Sequence, residues 1–200
     1  MGLEPNSFGH CPEVAHTAYV HPTAVLIGHV IVAEGVLIGP QAVVRADEPG
    51  PKGTIEPIVI GRQANIQDGA IIHALGGTGV AIGPRTSIAH GAVVHGPCKI
   101  GMNCFVGFNS VVFRSTLDDG VIVMHQSLVE GVVVSGGLLV PSSTSVRDHE
   151  DVVCLSQALP EVIAFVRKVA DTNALLAKDA LLREKNGQTH GPKPHLIAHS

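Results

Sequence analysis

The sequence predicts an all-β fold, a left-handed parallel β-helix of hexapeptide repeats followed by a C-terminal α-helix. Three observations predict it. An aliphatic residue returns every six positions, a small residue commonly sits four positions after it, and beyond Pro160 the apolar period changes to three and four. A period of six fits neither an α-helix nor a half-buried strand. It fits a solenoid in which one hexapeptide forms one flat side of a triangular coil and three complete the coil. The handedness is that of the known six-residue solenoid, an exception to the right-handed rule for parallel crossovers, and the spacing does not prove it.

Residues 1–17 precede the rhythm and are expected as an N-terminal arm. Val20, Ile27, Val32, Ile38 and Val44 start the repeat irregularly. From Ile60 it becomes strict, through Ile66, Ile72, Ile82, Ile88, Val94, Ile100, Val106 and Val112. Two five-residue steps, to Leu117 and Ile122, precede Leu128, Val134, Val140 and Val146. Small residues such as Ala64, Ala70, Thr86, Ala92, Cys98, Cys104, Ser110 and Thr116 let the chain turn. Two breaks mark loops, one around the Pro/Gly-rich segment 48–53 and a shorter one near residues 76–79. The solenoid is expected to run to residue 157. An amphipathic helix follows over residues 158–186, carried by Val162, Ile163, Phe165, Val166, Val169, Leu175 and Leu176 and ended near Asn186-Gly187. The tail 187–200 places His190, His195 and His199 among Gly and Pro and is expected to be disordered.

Composition agrees with a narrow stacked core. The 200 residues suit one domain, 45% are hydrophobic and 23 are Gly, yet Trp is absent. A net charge of −4 without a basic stripe argues against nucleic acid as a partner. The N-terminus has no charged segment leading into an apolar run, and no stretch is apolar enough to span a membrane. Four cysteines, Cys11, Cys98, Cys104 and Cys154, show no CxxC spacing, so a reducing cytoplasm is the expected location.

Phasing the polar residues on the coil is more specific. With Ile60, Ile66 and Ile72 on sides one, two and three, Ile82, Ile88 and Val94 occupy the same sides one coil later. His73 and His95 each follow the side-three residue and should stack at about 4.8 Å, with Arg45 in the same column. His90 lies two residues past Ile88 on side two, above Asp68. Five extended residues put the backbones of His90 and His95 on the order of 15 Å apart, too far for both to bind one metal within a chain. His73 and His95 can be completed by His90 of another copy if side two of one prism packs on side three of the next. Such a heterologous contact closes into a ring, and three-fold closure suits a triangular prism. All three could instead be ordinary exposed histidines.

The segments Arg45–Glu48, Asn65 through His73, His90–Pro97 and Phe105–Phe113 closely resemble the γ-class carbonic anhydrase family, including the related domain of the carboxysome scaffold protein. The resemblance spans roughly residues 18–182. It implies a homotrimer with a metal at each subunit interface, bound by His73 and His95 of one subunit and His90 of the next. Zinc is the expected ion, with iron or cobalt also suited to imidazole. A three-histidine site keeps one position open for water, which the metal acidifies for attack on CO2 to give bicarbonate. The resemblance assigns Gln67 to hydrogen bonding that water and Glu48 to proton transfer. It pairs Arg45 with Asp47 at the interface beside bicarbonate. Asp68 and Asn173 are expected at the pocket, Asp68 orienting His90 or neighbouring polar groups, and Asn109 and Phe108 are expected to border it one coil above His90. Structural alternatives stand beside these roles: a plain ion pair for Arg45 and Asp47, a turn carboxylate for Asp68, a solvated loop residue for Glu48 and simple packing for Phe108.

Two departures matter. The family's archaeal prototype carries a proton-shuttling glutamate on a loop after the first histidine, whereas here the third residue after His73 is Gly76. A tyrosine of the prototype aligns with Asp171. The carboxysome relatives also carry further domains not found in this sequence, so a scaffold role of that type is not expected. A metal-binding trimer with little or no CO2 hydration, and a hexapeptide acyltransferase using a histidine base and coenzyme A, remain as alternatives.

Overall fold

The computed structural model describes residues 2–187, so the tail expected to be disordered lies, but for Gly187, outside the described residues. The chain winds as a left-handed parallel β-helix of about seven turns. Three sheets form its sides, with eight, seven and eight strands, all parallel but for one antiparallel edge strand. Side one runs through Ile58–Ile60, Val80–Ile82 and Cys98–Ile100, side two through Asn65–Ile66, Ser87–Ile88 and Phe105–Val106, and side three through Ile71–His73, Val93–His95 and Val111–Phe113. Ile60 pairs with Ile82, Ile66 with Ile88, and Ile72 with Val94, so the phase expected for these coils holds. Their side chains stack inside the prism, all fully or almost fully buried. Burial of this aliphatic column at roughly 25 cal/mol per Å² is what stabilises a core so poor in aromatic residues.

The phase is corrected at both ends. Leu26, not Ile27, points inward and pairs with Val44, so the upstream repeat steps by six through Val20, Leu26, Val32, Ile38 and Val44. Downstream, Val123 and Val129 are the inward residues in place of Ile122 and Leu128. The two five-residue steps are not consecutive; they fall from Val112 to Leu117 and from Val129 to Val134. Each crosses the corner from side three to side one, and the small buried residue at the first of them is Ser115 rather than Thr116. Ile122 faces outward into a second cluster with Ala89, Phe105, Ala158 and Val166.

The N-terminal residues do not stand apart as an arm. Gly2–Glu4 pairs with Val25–Gly28, and Glu13–Val14 with Val30–Val32, so they belong to the first coil. The solenoid also ends earlier than residue 157. Asp148 caps a short helix α1 (His149–Val153) by accepting from the Asp151 N–H. Ser156–Gln157 then pairs antiparallel with Leu138–Val140, which reverses the chain. Helix α2 (Pro160–Lys185) begins with Pro at its first turn, where a missing N–H costs nothing. It runs back over side two and buries Val166, Ala170 and Ala177. Among the described residues, no helix is long and apolar enough to cross a membrane.

Cys98 and Cys104 take the small buried positions, whereas Cys11 and Cys154 are exposed. Burial raises both inner thiols, that of Cys104 to about 11, which suppresses the reactive thiolate. Alkylation followed by mass spectrometry should therefore modify Cys11 and Cys154 promptly under native conditions, and Cys98 and Cys104 only after denaturation.

Candidate metal centre

The outward column of side three stacks Arg45, His73, His95 and Phe113 in register. Only the residue next to each inward aliphatic can occupy that column. The His73 and His95 rings meet edge to face with centroids 4.8 Å apart, and His73 Nδ1 lies 3.1 Å from His95 Nε2. Phe113 abuts the other side of His95 at 5.4 Å. Two nitrogens bound to one tetrahedral zinc at about 2.0–2.1 Å would lie roughly 3.3 Å apart, so the pair fits shared ligation. The remaining nitrogen of His73, Nε2, is occluded and makes no hydrogen bond. Its nearest acidic neighbours, Glu48 Oε1 at 3.4 Å and Asp47 Oδ1 at 3.7 Å, lie within charge–charge reach but are misaligned for hydrogen bonding. Burial pushes the His73 imidazole below its ordinary pKa, opposed by Glu48 and reinforced by Arg45 and His95. The neutral form, which can ligate a metal, is favoured.

Asp47 is fixed by a two-pronged bond from Arg45, with Nε to Oδ1 at 3.2 Å and Nη2 to Oδ2 at 2.8 Å. Glu48 is held by a different device. The Gly76 N–H donates to Glu48 Oε2 at 3.1 Å, which ties the two loops together. A Cβ at Gly76 would lie 2.7 Å from the Pro49 carbonyl oxygen, so the close approach requires glycine. Gly76, the third residue after His73, thus anchors the Glu48 carboxylate.

His90 lies on a different face. Its Nδ1 is 3.5 Å from Asp68 Oδ2, and both side chains are more than half exposed. Among the described residues, no three His, Cys, Asp or Glu side chains converge to hold a metal within one chain. His90, Asp68, Gln67 and Phe108 instead line a groove of about 910 Å³ between side two and α2, with Asn173, Lys168 and Arg183 on its helical wall. Asn173 Nδ2 donates to the Val169 carbonyl at 2.9 Å. Asn109 does not line this groove. It turns a corner at φ 54°, and its N–H donates to the His90 carbonyl. Asp171 forms a 2.7 Å ion pair with Arg85.

Sequence reasoning missed the support beneath Gln67. Gln67 Nε2 donates to Asn65 Oδ1 at 2.9 Å, and Asn65 Nδ2 donates to Ser87 Oγ at 2.8 Å, all three residues being buried. The chain of donors orients Gln67 so that its amide oxygen is left free as an acceptor. The signal was two polar residues, Asn65 and Ser87, in a column otherwise filled by Tyr19, Leu37, Phe105, Ile122 and Leu139.

Known proteins share this frame. The bacterial transferase hexapeptide (six repeats) model matches residues 79–114. Carboxysome assembly protein CcmM of Synechocystis sp. is 39% identical over 174 residues, covering 80% of this chain but 24% of that protein. Carnitine operon protein CaiE of Escherichia coli is 43% identical over 121 residues, covering 60% of this chain and 55% of that protein. The chain therefore spans between a quarter and about half of these relatives. The crystal structure of a hexapeptide transferase family protein from Anaplasma phagocytophilum superposes with a TM-score of 0.73 at 26% identity, covering 89% of this chain and 97% of that one. A Bacillus cereus structure with a TM-score of 0.76 at 17% identity shows the fold alone. The repeat, the solenoid and these likenesses place the chain in the hexapeptide-repeat superfamily.

Proposed function

We propose that the protein catalyses the reversible hydration of CO2 as a γ-class carbonic anhydrase, with each metal site shared between two subunits of a homotrimer. The observation that carries this reading is the His73–His95 pair, its facing nitrogens 3.1 Å apart beside the Arg45–Asp47–Glu48 charge cluster. His73 and His95 of one subunit and His90 of the next would hold zinc, or iron or cobalt. The bound metal supplies an acidified water near neutral pH as the nucleophile.

The chain's own groups do the rest. The free amide oxygen of Gln67 would accept a hydrogen bond from the attacking water and set its direction. Glu48 receives the released proton on a carboxylate oxygen. Because the Gly76 N–H pins that carboxylate, its onward transfer to buffer does not use a swinging side chain. The guanidinium of Arg45, locked on Asp47, offers fixed positive charge to departing bicarbonate. Stopped-flow hydration of CO2 by zinc-, iron- and cobalt-loaded untagged protein tests the proposal. Acceleration above buffer that vanishes in His90→Ala supports it, and no acceleration with any of zinc, iron or cobalt removes it.

A second reading, acyl transfer, draws on the groove, whose volume of about 910 Å³ exceeds what CO2 occupies. Saturable binding of coenzyme A in calorimetry would favour it, since a CO2 hydratase has no use for that ligand.

A further inference from the structure

Four residues occupy one corner column of side two: Asp68, His90, Phe108 and His125. Each stands two positions past an inward residue of successive coils, Ile66, Ile88, Val106 and Val123. The Phe108 and His125 rings stack at 4.4 Å with 15° between their planes. Phe108 lies in turn against His90 at 5.3 Å and 35°. The first pair is stacked and the second is a tilted contact, both at centroid spacings typical of aromatic pairs. The proposed catalytic groups include nothing above Phe108, yet His125 is the most firmly held member of the column.

His125 Nδ1 accepts the Phe108 backbone N–H at 3.0 Å, which fixes the ring and leaves the proton of the neutral imidazole on Nε2. Its ring meets the edge of buried Phe105 at 6.2 Å. A Cβ on Gly107 would lie 2.9 Å from His125 Nδ1, so the imidazole seats directly against the backbone. Phe108 is 39% exposed and has no polar anchor, and His90 is exposed as well. An exposed side chain that must present one nitrogen to a metal loses rotamer entropy on binding unless neighbours restrict it beforehand. Asp68 restricts His90 from below by facing its Nδ1, and the stacked Phe108 restricts it from above.

We infer that His125 is a positioning residue for the His90 imidazole, acting through the face of Phe108 and resting on the proposed role of His90 as a metal ligand. His125 holds Phe108 against one face of His90, at a tilt of 35°, so the imidazole, facing Asp68 through Nδ1, keeps Nε2 directed away from Asp68. The stack, more than the hydrogen bond, transmits the effect, because the Phe108 N–H is exposed enough for water to replace its acceptor.

Zinc affinity, measured by chelator competition on untagged trimer, and the visible absorption of cobalt-loaded trimer test this. His125→Leu removes ring and acceptor and is expected to weaken zinc binding about tenfold, the effect typical of groups supporting a metal ligand. It should also shift the cobalt bands. His125→Phe keeps the stack and should restore affinity to within about twofold of wild type. His125→Asn keeps an acceptor without the ring and should resemble His125→Leu, so it replaces that variant if His125→Leu does not assemble. Wild-type affinity and cobalt bands in the ring-less variants, or His125→Phe binding no tighter than they do, overturn the role of His125 alone. A wild-type protein that binds no zinc, cobalt or iron overturns the proposed function, and this role with it.

Discussion

His73→Ala and His90→Ala are each expected to give a folded protein that retains no zinc and hydrates CO2 no faster than buffer. Removing a group that merely supports a ligand already costs ten- to a hundredfold in metal affinity, so removing one of three ligands should cost more than about a hundredfold. Neither substitution disturbs the core. The His90 side chain is 53% exposed, and His73, 14% exposed, projects from the outer face of its strand. The thermal midpoint of the metal-free variants should therefore match that of metal-free wild type, while metal content by mass spectrometry falls to background. A variant that loses metal only by unfolding would show a lowered midpoint instead.

Phe105→Ala should have the opposite signature, a large stability loss with the ligands untouched. Phe105 is 1% exposed and is the largest fully buried side chain. It does not point into the prism. It fills the space between side two and α2, packed with Ala89, Ile122, Ala158 and Val166 and meeting Phe165 edge to face at 5.9 Å. Truncating such a residue typically costs about 3–5 kcal/mol. The loss should concentrate on α2, whose buried side is otherwise Val166, Ala170 and Ala177. Urea unfolding should reveal the destabilisation, and limited proteolysis should cleave α2 before the coils. Equal cleavage of coils and helix would contradict that division.

The repeat made much of this legible. From Ile60 to Val112 the regular six-residue step fixed the phase even at adjacent aliphatics such as Ile71-Ile72 and Val93-Val94, and the Arg45–His73–His95 column followed from it. It failed at three other adjacent pairs, outside that strict run. Leu26-Ile27, Ile122-Val123 and Leu128-Val129 offer either residue to the core, and only strand register decides. The separated five-residue steps hid His125, since a coil one residue short moves it out of the expected column. The Gln67–Asn65–Ser87 bonds were hidden for another reason. Period reports which side a residue occupies, but not which buried polar atoms find one another. Gly76 offers no side chain for a motif to report, and the backbone N–H that anchors Glu48 is visible only in three dimensions.

The central claim is that a complete site needs two chains. Mixing unfolded His73→Ala and His90→Ala subunits in equal amounts and refolding them together tests it most directly. In a cyclic trimer with His73 and His95 from one chain and His90 from the next, each mixed trimer regains one intact site of three. Random assortment makes about three quarters of the trimers mixed, so zinc content and CO2 hydration should return to about one quarter of wild type. Mixed trimers, verified by two distinct tags, that bind no zinc at all would contradict a site shared between subunits.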